Sequence, residues 1–373
     1  MSDKQYLATH RIPELINHLI IQLVDGKPAD PKTFLANAIL DSDDADLGYP
    51  QLTRHVSLMA QNMNPTLYRK LCCRRTSTGF TLDQAIQTGV DNPGHPMTTS
   101  VGMVAGDEDS YQVFAELFDL VICQYHDGFT KLHRHVSSMD ALSLKGAVLD
   151  KLYVLSCRVR TCRNIRGFPL PTQCNRKQRR DVEKIVSGAC KELQGHVGGQ
   201  YFSLTDMTDE VEQEKLKAKL LFPKPISSEH VSSRISRDWP DARGVFHNRD
   251  GSVMVWCNVL DHMKIISVCK GGNMRQAFEY FADAVNGLSV AVAKLGHEYM
   301  VDDHLGHITT CPTDLGTGMK CSIFIDLPKF HRHEEYRSVL NKLKVLSRPA
   351  QGAGEDDLPR TTQEVYNPVR LGL

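Results

Sequence analysis

The sequence predicts an α+β fold: a small helical domain, then an antiparallel-sheet domain with surrounding helices, with an extra pair of short helices in front. Three observations carry this. From about Tyr49 to Leu144 the signals are mostly helical, as in HVSLMAQNM, LYRKLCCR, TLDQAIQTGV and SYQVFAELFDLVI, joined by Gly and Pro turns. From Leu149 onward the β-type runs KLYVLSCRVRT, SVMVWCNVL, KIISVC, HITTC and KCSIFIDL alternate with the helical runs RKQRRDVEKIVSGACKEL and MRQAFEYFADAVNGLSVAVAKLG. The first forty residues resemble neither part in character.

In that first segment Ile12, Leu15, Ile16, Leu19, Ile20 and Leu23 fall on one helical face. Pro13 suits the first turn of this helix, and Gly26, Lys27 and Pro28 end it. PKTFLANAIL, from Pro31, reads as a second short amphipathic helix. Two helices this short cannot bury their apolar stripes alone. They need a second copy, a partner, or the rest of the chain. DSDDAD, Asp41 to Asp46, reads as an acidic solvated linker. The expected organisation is therefore a helical pair with linker over 1–45, a helical domain over 46–148 and the sheet domain over 149–373. Residues 125–150, rich in His, Gly and Ser, read as a surface crossing between the last two.

At 373 residues the chain is long enough for two or three domains with substantial cores. Lysine plus arginine equals aspartate plus glutamate at 44 each, so no net field favours nucleic acid or an anionic membrane. No apolar run approaches the ~20 residues needed to span a bilayer. MSDKQYLATHRIPE lacks the apolar core of a secretory signal. Eleven cysteines are scattered without metal-ligand spacing and read as reduced thiols of the cytosol. The pairs His133/His135 and His331/His333 sit in polar, loop-like contexts and read as solvated surface, so no protein-bound metal is expected.

The most informative run is HLGHITTCPTDLGTGMK, His304 to Lys320. It places Cys311 before a turn holding Gly316, Thr317 and Gly318, followed at once by a cation. A thiol next to backbone N–H groups and a positive charge is expected to have a lowered pKa. The run resembles the active-site cysteine signature of the phosphagen (ATP:guanidino) kinases, the creatine and arginine kinase family. DNPGHPMTTSVGMVAGDEDSYQVFAELFDLVI from Asp91, DWPDARGVFHN from Asp238 and KGGNM from Lys270 are further matches, so the resemblance covers about 50–372. It implies MgATP or MgADP as ligand and a ring of arginines around the phosphates. Arg158 and Arg160 in SCRVRT and Arg348 in KVLSRP match that ring, whereas Lys264 and Lys320 stand where the family has arginine. Read without the resemblance, Arg158 and Arg160 are a strand-edge pair with solvated heads. Lysine keeps the charge but loses the planar fork that grips two oxygens.

Other departures are larger. The family carries its guanidinium-clamping glutamate in N-E-E-D-H. Here the stretch reads Asn258, Val259, Leu260, Asp261, His262, which puts Leu260 at the carboxylate's position. An apolar side chain cannot pair the substrate's charge or act as a base. Asp261 would point to the other face if this were a strand. Lys219 in KLLFPKP replaces a histidine near the adenosine. In the guanidino-specificity loop PGHPMTTSVG, Thr98 and Thr99 replace apolar residues while Val101 is kept. EVYNPVRLGL resembles the family's segment before an R-L-G turn, with Glu364 in an aspartate's place and Arg370 matching. Family members continue beyond that turn with a strand and a long helix, so the ending at Leu373 leads us to expect a truncated domain with apolar surface for a partner to cover.

YLATHRIPELINHLIIQLVDGKPADPKTFL, finally, resembles the dimerisation–docking helix pair of protein kinase A regulatory subunits, which also precedes several ciliary and flagellar proteins. Without that resemblance it reads equally as a helical hairpin packed on its own domain. The combined expectation is a catalytically impaired phosphagen (creatine) kinase homologue that binds MgATP or MgADP weakly. It would act in the cytoplasm as a docking component of a ciliary or flagellar axoneme, with a microtubule-associated partner or as a homodimer. The alternative is an active, divergent ATP:guanidino phosphotransferase.

Overall fold

The computed structural model describes residues 5, 12–40, 48–95, 99–146, 148–350 and 357–371. They form two compact units, 1–51 and 52–373. The acidic linker Asp41 to Asp46 and Thr98 of the specificity loop lie outside the described residues, as does the Leu15 side chain.

The first unit is two helices, α1 (Ile12–Gly26) and α2 (Pro31–Leu40). The break between them falls where Lys27 takes a positive φ of 40° ahead of Pro28. Asp30 starts α2 by accepting the N–H groups of Lys32 at 3.1 Å and Thr33 at 3.3 Å. Only part of the α1 stripe is covered. Leu19 is buried, whereas Ile16, Ile20, Ile21 and Val24 are 48–59% exposed.

The second unit opens with α3 (Leu58–Asn62), α4 (Pro65–Leu71), α5 (Leu82–Asp91), α6 (Ser110–Val113) and α7 (Ala115–Tyr125). Side-chain caps from Ser57, Asn64 and Thr81 start the first three, and Thr81 with Gln84 forms a capping box. This helical part is stitched to the sheet part by Ala105 N donating to the Thr310 carbonyl at 2.8 Å, and by the Tyr111 hydroxyl donating to the Thr309 carbonyl at 2.8 Å.

The remaining elements are β1 (Val154–Arg163), α8 (Arg176–Lys191), β2 (Gly199–Ser203), α9 (Asp209–Lys217), α10 (Ser228–Ser232), β3 (Gly244–Asn248), β4 (Val253–Cys257), β5 (Met263–Lys270), α11 (Met274–Lys294), β6 (Val301–Asp302), β7 (Gly306–His307), β8 (Lys320–Asp326), α12 (Tyr336–Lys342), β9 (Leu346–Pro349) and β10 (Thr362–Tyr366). Eight strands form one antiparallel sheet in the order β2-β3-β4-β5-β1-β8-β10-β9, as the α+β reading requires. One face is the core. Cys157, Val159, Val255 and Ile265 pack there against Val182 and Val186 of α8 and Phe281, Ala284 and Leu288 of α11. HITTC, expected as a strand, supplies only His307 to the two-residue pairing of β7 with β6. No described helix is long and apolar enough to cross a membrane.

Candidate functional site

The face of the sheet opposite that core carries the cations. On β1, alternation puts Arg158, Arg160 and Cys162 on one side. The register with β8 sets Arg160 opposite Lys320 and Arg158 opposite Ser322, and the register with β5 sets Cys162 opposite Lys264. On the far side, β10 sets Glu364 opposite Phe324, and β9 sets Arg348 opposite Glu364. Five of the sequence-predicted cations thus share one face, and β1 is an interior strand rather than an edge. Arg158 lies with its guanidinium carbon 4.7 Å from the centre of the Phe324 ring.

Glu364 sits among these cations and is 1% exposed. Its Oε1 accepts from the Ser322 hydroxyl at 2.7 Å and lies 3.0 Å from Lys320 Nζ, while its Oε2 is 2.5 Å from Arg348 Nε. Burial works against this carboxylate's charge, but Lys320 and Arg348 outweigh it and hold the group at about 2. Lys320 also stands 3.4 Å from the centre of the Tyr366 ring. Burial and then the neighbouring Arg160 lower its pKa, against the pull of Glu364.

Beside this cluster is a cavity of about 170 Å³, walled by Arg160, Lys264, Leu260, Asp314, Gly318 and Arg370. Arg370 Nη1 pairs with Asp314 and donates to the Thr313 carbonyl, which fixes one wall. Lys264 is lined up toward the Trp256 ring, 5.2 Å from its centre. Burial, then the Arg160 charge, pushes Lys264 down to about 7. Leu260 does not lie on a strand: residues 258–262 form the β4–β5 turn, entered through Asn258 at φ 55°. Asp261 is therefore not an outward-facing substitute for a missing carboxylate. It is 1% exposed and accepts from Asn164 Nδ2 and from Thr310 N, each at 2.7 Å, so it anchors the turn to the cysteine segment.

Cys311 lies just ahead of this wall, but its chemistry differs from the expectation. The structure corrects the lowered thiol pKa: burial pushes the thiol up, and the Thr313 hydroxyl 3.1 Å from Sγ offsets only part of that. The cation meant to assist it, Lys320, is engaged by Glu364. Lys219 does not line the cavity, and its Nζ is 3.5 Å from Asp357. Val101 is a buried residue of the helical part whose carbonyl accepts from Met59 N at 2.9 Å. His135 is half-buried rather than solvated, with its ring against Gly306 and Gly316. Among the described residues no group of three or more His, Cys, Asp or Glu is placed to hold a metal.

The comparisons agree with this architecture. The profile of the ATP:guanido phosphotransferase C-terminal catalytic domain matches residues 181–373, and that of its N-terminal domain matches 53–123. Creatine kinase B-type of Gallus gallus is 45% identical over 328 residues, covering 87% of this chain and 85% of that protein. A protein named flagellar creatine kinase, from Strongylocentrotus purpuratus, is 42% identical over 330 residues, which are 88% of this chain but 28% of that much longer one. The crystal structure of lombricine kinase superposes with a TM-score of 0.81 at 36% identity, covering 89% of this chain and 90% of that one.

Proposed function

The chain belongs to the ATP:guanido phosphotransferase family, and from that premise we propose that it is a creatine-kinase-like member whose phosphoryl transfer is impaired and which serves as a docking component of a ciliary or flagellar assembly. The observation that carries the loss of catalysis is Leu260 on the cavity wall. A guanidinium entering this cavity would meet Arg160, Lys264 and Arg370. The carboxylate on that wall, Asp314, is already paired with Arg370. Cation would face cation, and no base would stand ready to take a proton.

Glu364 supports the same reading from the phosphate side. Two of the five cations, Lys320 and Arg348, already hold a buried carboxylate. Arg158, Arg160 and Lys264 would remain to hold the phosphates of MgATP or MgADP, which accords with weak binding. In this family the nucleotide supplies the phosphoryl group. Here these residues would bind and orient its phosphates, without a carboxylate to align an acceptor. The ciliary setting rests on the flagellar relative's name and on the exposed stripe of α1.

The second reading, an active divergent kinase, is favoured by the shared face of Arg158, Arg160, Lys264, Lys320 and Arg348 and by the retained Cys311. Release of ADP from MgATP separates the two. With creatine, glycocyamine, taurocyamine or arginine as acceptor we expect background rates. A turnover of ordinary kinase size, ~1–100 s⁻¹, would overturn the impaired reading.

A further inference from the structure

The last residue of β1, Arg163, faces away from the phosphate cations and belongs to none of the machinery above. It is 1% exposed. Its Nη1 is fully used, donating to Thr161 Oγ1 at 2.6 Å, the Cys162 carbonyl at 2.7 Å and the Thr317 carbonyl at 3.0 Å. Its Nε and Nη2 are buried and have no protein acceptor. No carboxylate pairs with it among the described residues, and the titratable groups that share its field are Tyr299, Cys162, His307 and His135.

Two more buried polar atoms without a protein partner belong to residues around it, Tyr299 Oη and His307 Nδ1. Tyr299 is held to the strand end by its bridge to Ile165. His307 is held by its N–H on the Gly316 carbonyl at 3.0 Å, and the two rings meet edge-on at 6.0 Å. The Arg163 charge acts on both side chains. A buried cation left without a counter-charge is strongly destabilising, and each open donor adds its own desolvation cost. A water would satisfy a donor but leave the charge. An anion satisfies both. Two carbonyls take up Nη1, but the open Nε and Nη2 edge of the guanidinium, a phenol and a neutral imidazole can all still donate hydrogen bonds, and no carboxylate pairs with them among the described residues. One buried positive charge within a lining of donors suits a small, monovalent, acceptor-only anion.

We propose that Arg163, Tyr299 and His307 form an internal binding site for a small monovalent anion of the chloride class. The site is separate from the phosphate face, since Arg163 points to the other side of the sheet from Arg158 and Arg160. It is coupled to the cysteine segment. The Thr317 carbonyl, inside the turn between Cys311 and Lys320, takes hydrogen bonds from both Arg163 and Thr161 Oγ1. An anion that fixes Arg163 therefore also fixes that turn.

The test uses the full chain at constant ionic strength, exchanging sodium gluconate, a bulky polyatomic anion, for sodium chloride or bromide. Thermal unfolding should shift upward with halide and saturate. The shift should be lost in Arg163→Gln and reduced in Tyr299→Phe, a milder change that keeps the test valid if the first variant does not fold. Crystals grown in bromide should show an anomalous peak between Arg163 Nη2, Tyr299 Oη and His307 Nδ1. A halide shift that is absent, or unchanged in Tyr299→Phe, overturns the assignment. So does water density at that point with no bromide signal.

Discussion

Where the family resemblance places an aspartate, this chain carries Glu364, one methylene longer, among the cations of the sheet face. Its one buried carboxylate reaches both Lys320 and Arg348. Glu364→Gln keeps a hydrogen-bond partner for Ser322 but removes the charge. Two opposite effects are expected. Stability should fall, because Lys320 is left buried without its counter-charge, a change of ~3–5 kcal/mol for broken buried pairs. MgADP affinity should rise by about tenfold, equivalent to about 1.4 kcal/mol, because two cations are released to the phosphates. Calorimetry and denaturant unfolding on the same variant check both signs, and unchanged or weaker affinity would show that the carboxylate does not compete with nucleotide. Lys264 adds a pH dependence. Its folded pKa of about 7 lies below the ordinary 10.5, so the unfolded chain binds the extra proton between those values, and stability should rise with pH across that window. Phosphate binding has the opposite sign, since it needs the protonated ammonium. MgATP affinity should therefore fall from pH 6 to pH 8, and Lys264→Arg should flatten the profile.

Among the elements, α11 was the plainest to read. Phe278, Phe281, Val285, Leu288 and Val292 repeat at helical spacing over 21 residues, and all are buried in the structure. Phe281→Ala should cost ~3–5 kcal/mol of stability by urea titration, as truncation of a buried aromatic does. A loss below 1 kcal/mol would mean the helix is not the main cover of the sheet. The strands were less legible. SCRVRT read as a strand whose two arginines match the family's ring only through the resemblance, and Leu260 and Lys264 were visible as departures from a motif. What Glu364 does was not visible, because it depends on register: only the pairing of β10 with β9 and β8 sets that carboxylate against Arg348 and near Lys320. Asp261 was obscured by the assumption of a strand where the backbone turns at Asn258. The Arg163 cluster draws on β1, β7 and the segment before β6, and no local pattern in any of them announces it. Burial likewise reversed the expectation for Cys311, since proximity to a cation in sequence says nothing of where that cation's charge is spent.

At the scale of the whole molecule, two units of very different size share one chain, and α1 of the smaller carries exposed apolar side chains. Of the face expected to dock, Leu19 is buried, so a charge there would disturb the packing of α1 as well as any docking. Ile16 and Ile20 are the members left about half exposed, continued by Ile21 and Val24. Four apolar side chains on adjacent turns of one short helix are more than an isolated pair keeps in water without a partner. We therefore expect Ile16→Glu/Ile20→Glu to leave the helix pair and the 52–373 unit folded. The same change should shift the chain to a smaller species in sedimentation and free it from axonemes on mild detergent extraction. Removing residues 1–51 should give the same release and leave the unfolding midpoint of the larger unit unchanged. If the wild-type chain sediments as a monomer and neither change alters its size or its extraction, the helix pair has no docking role, and the exposed stripe is tolerated surface.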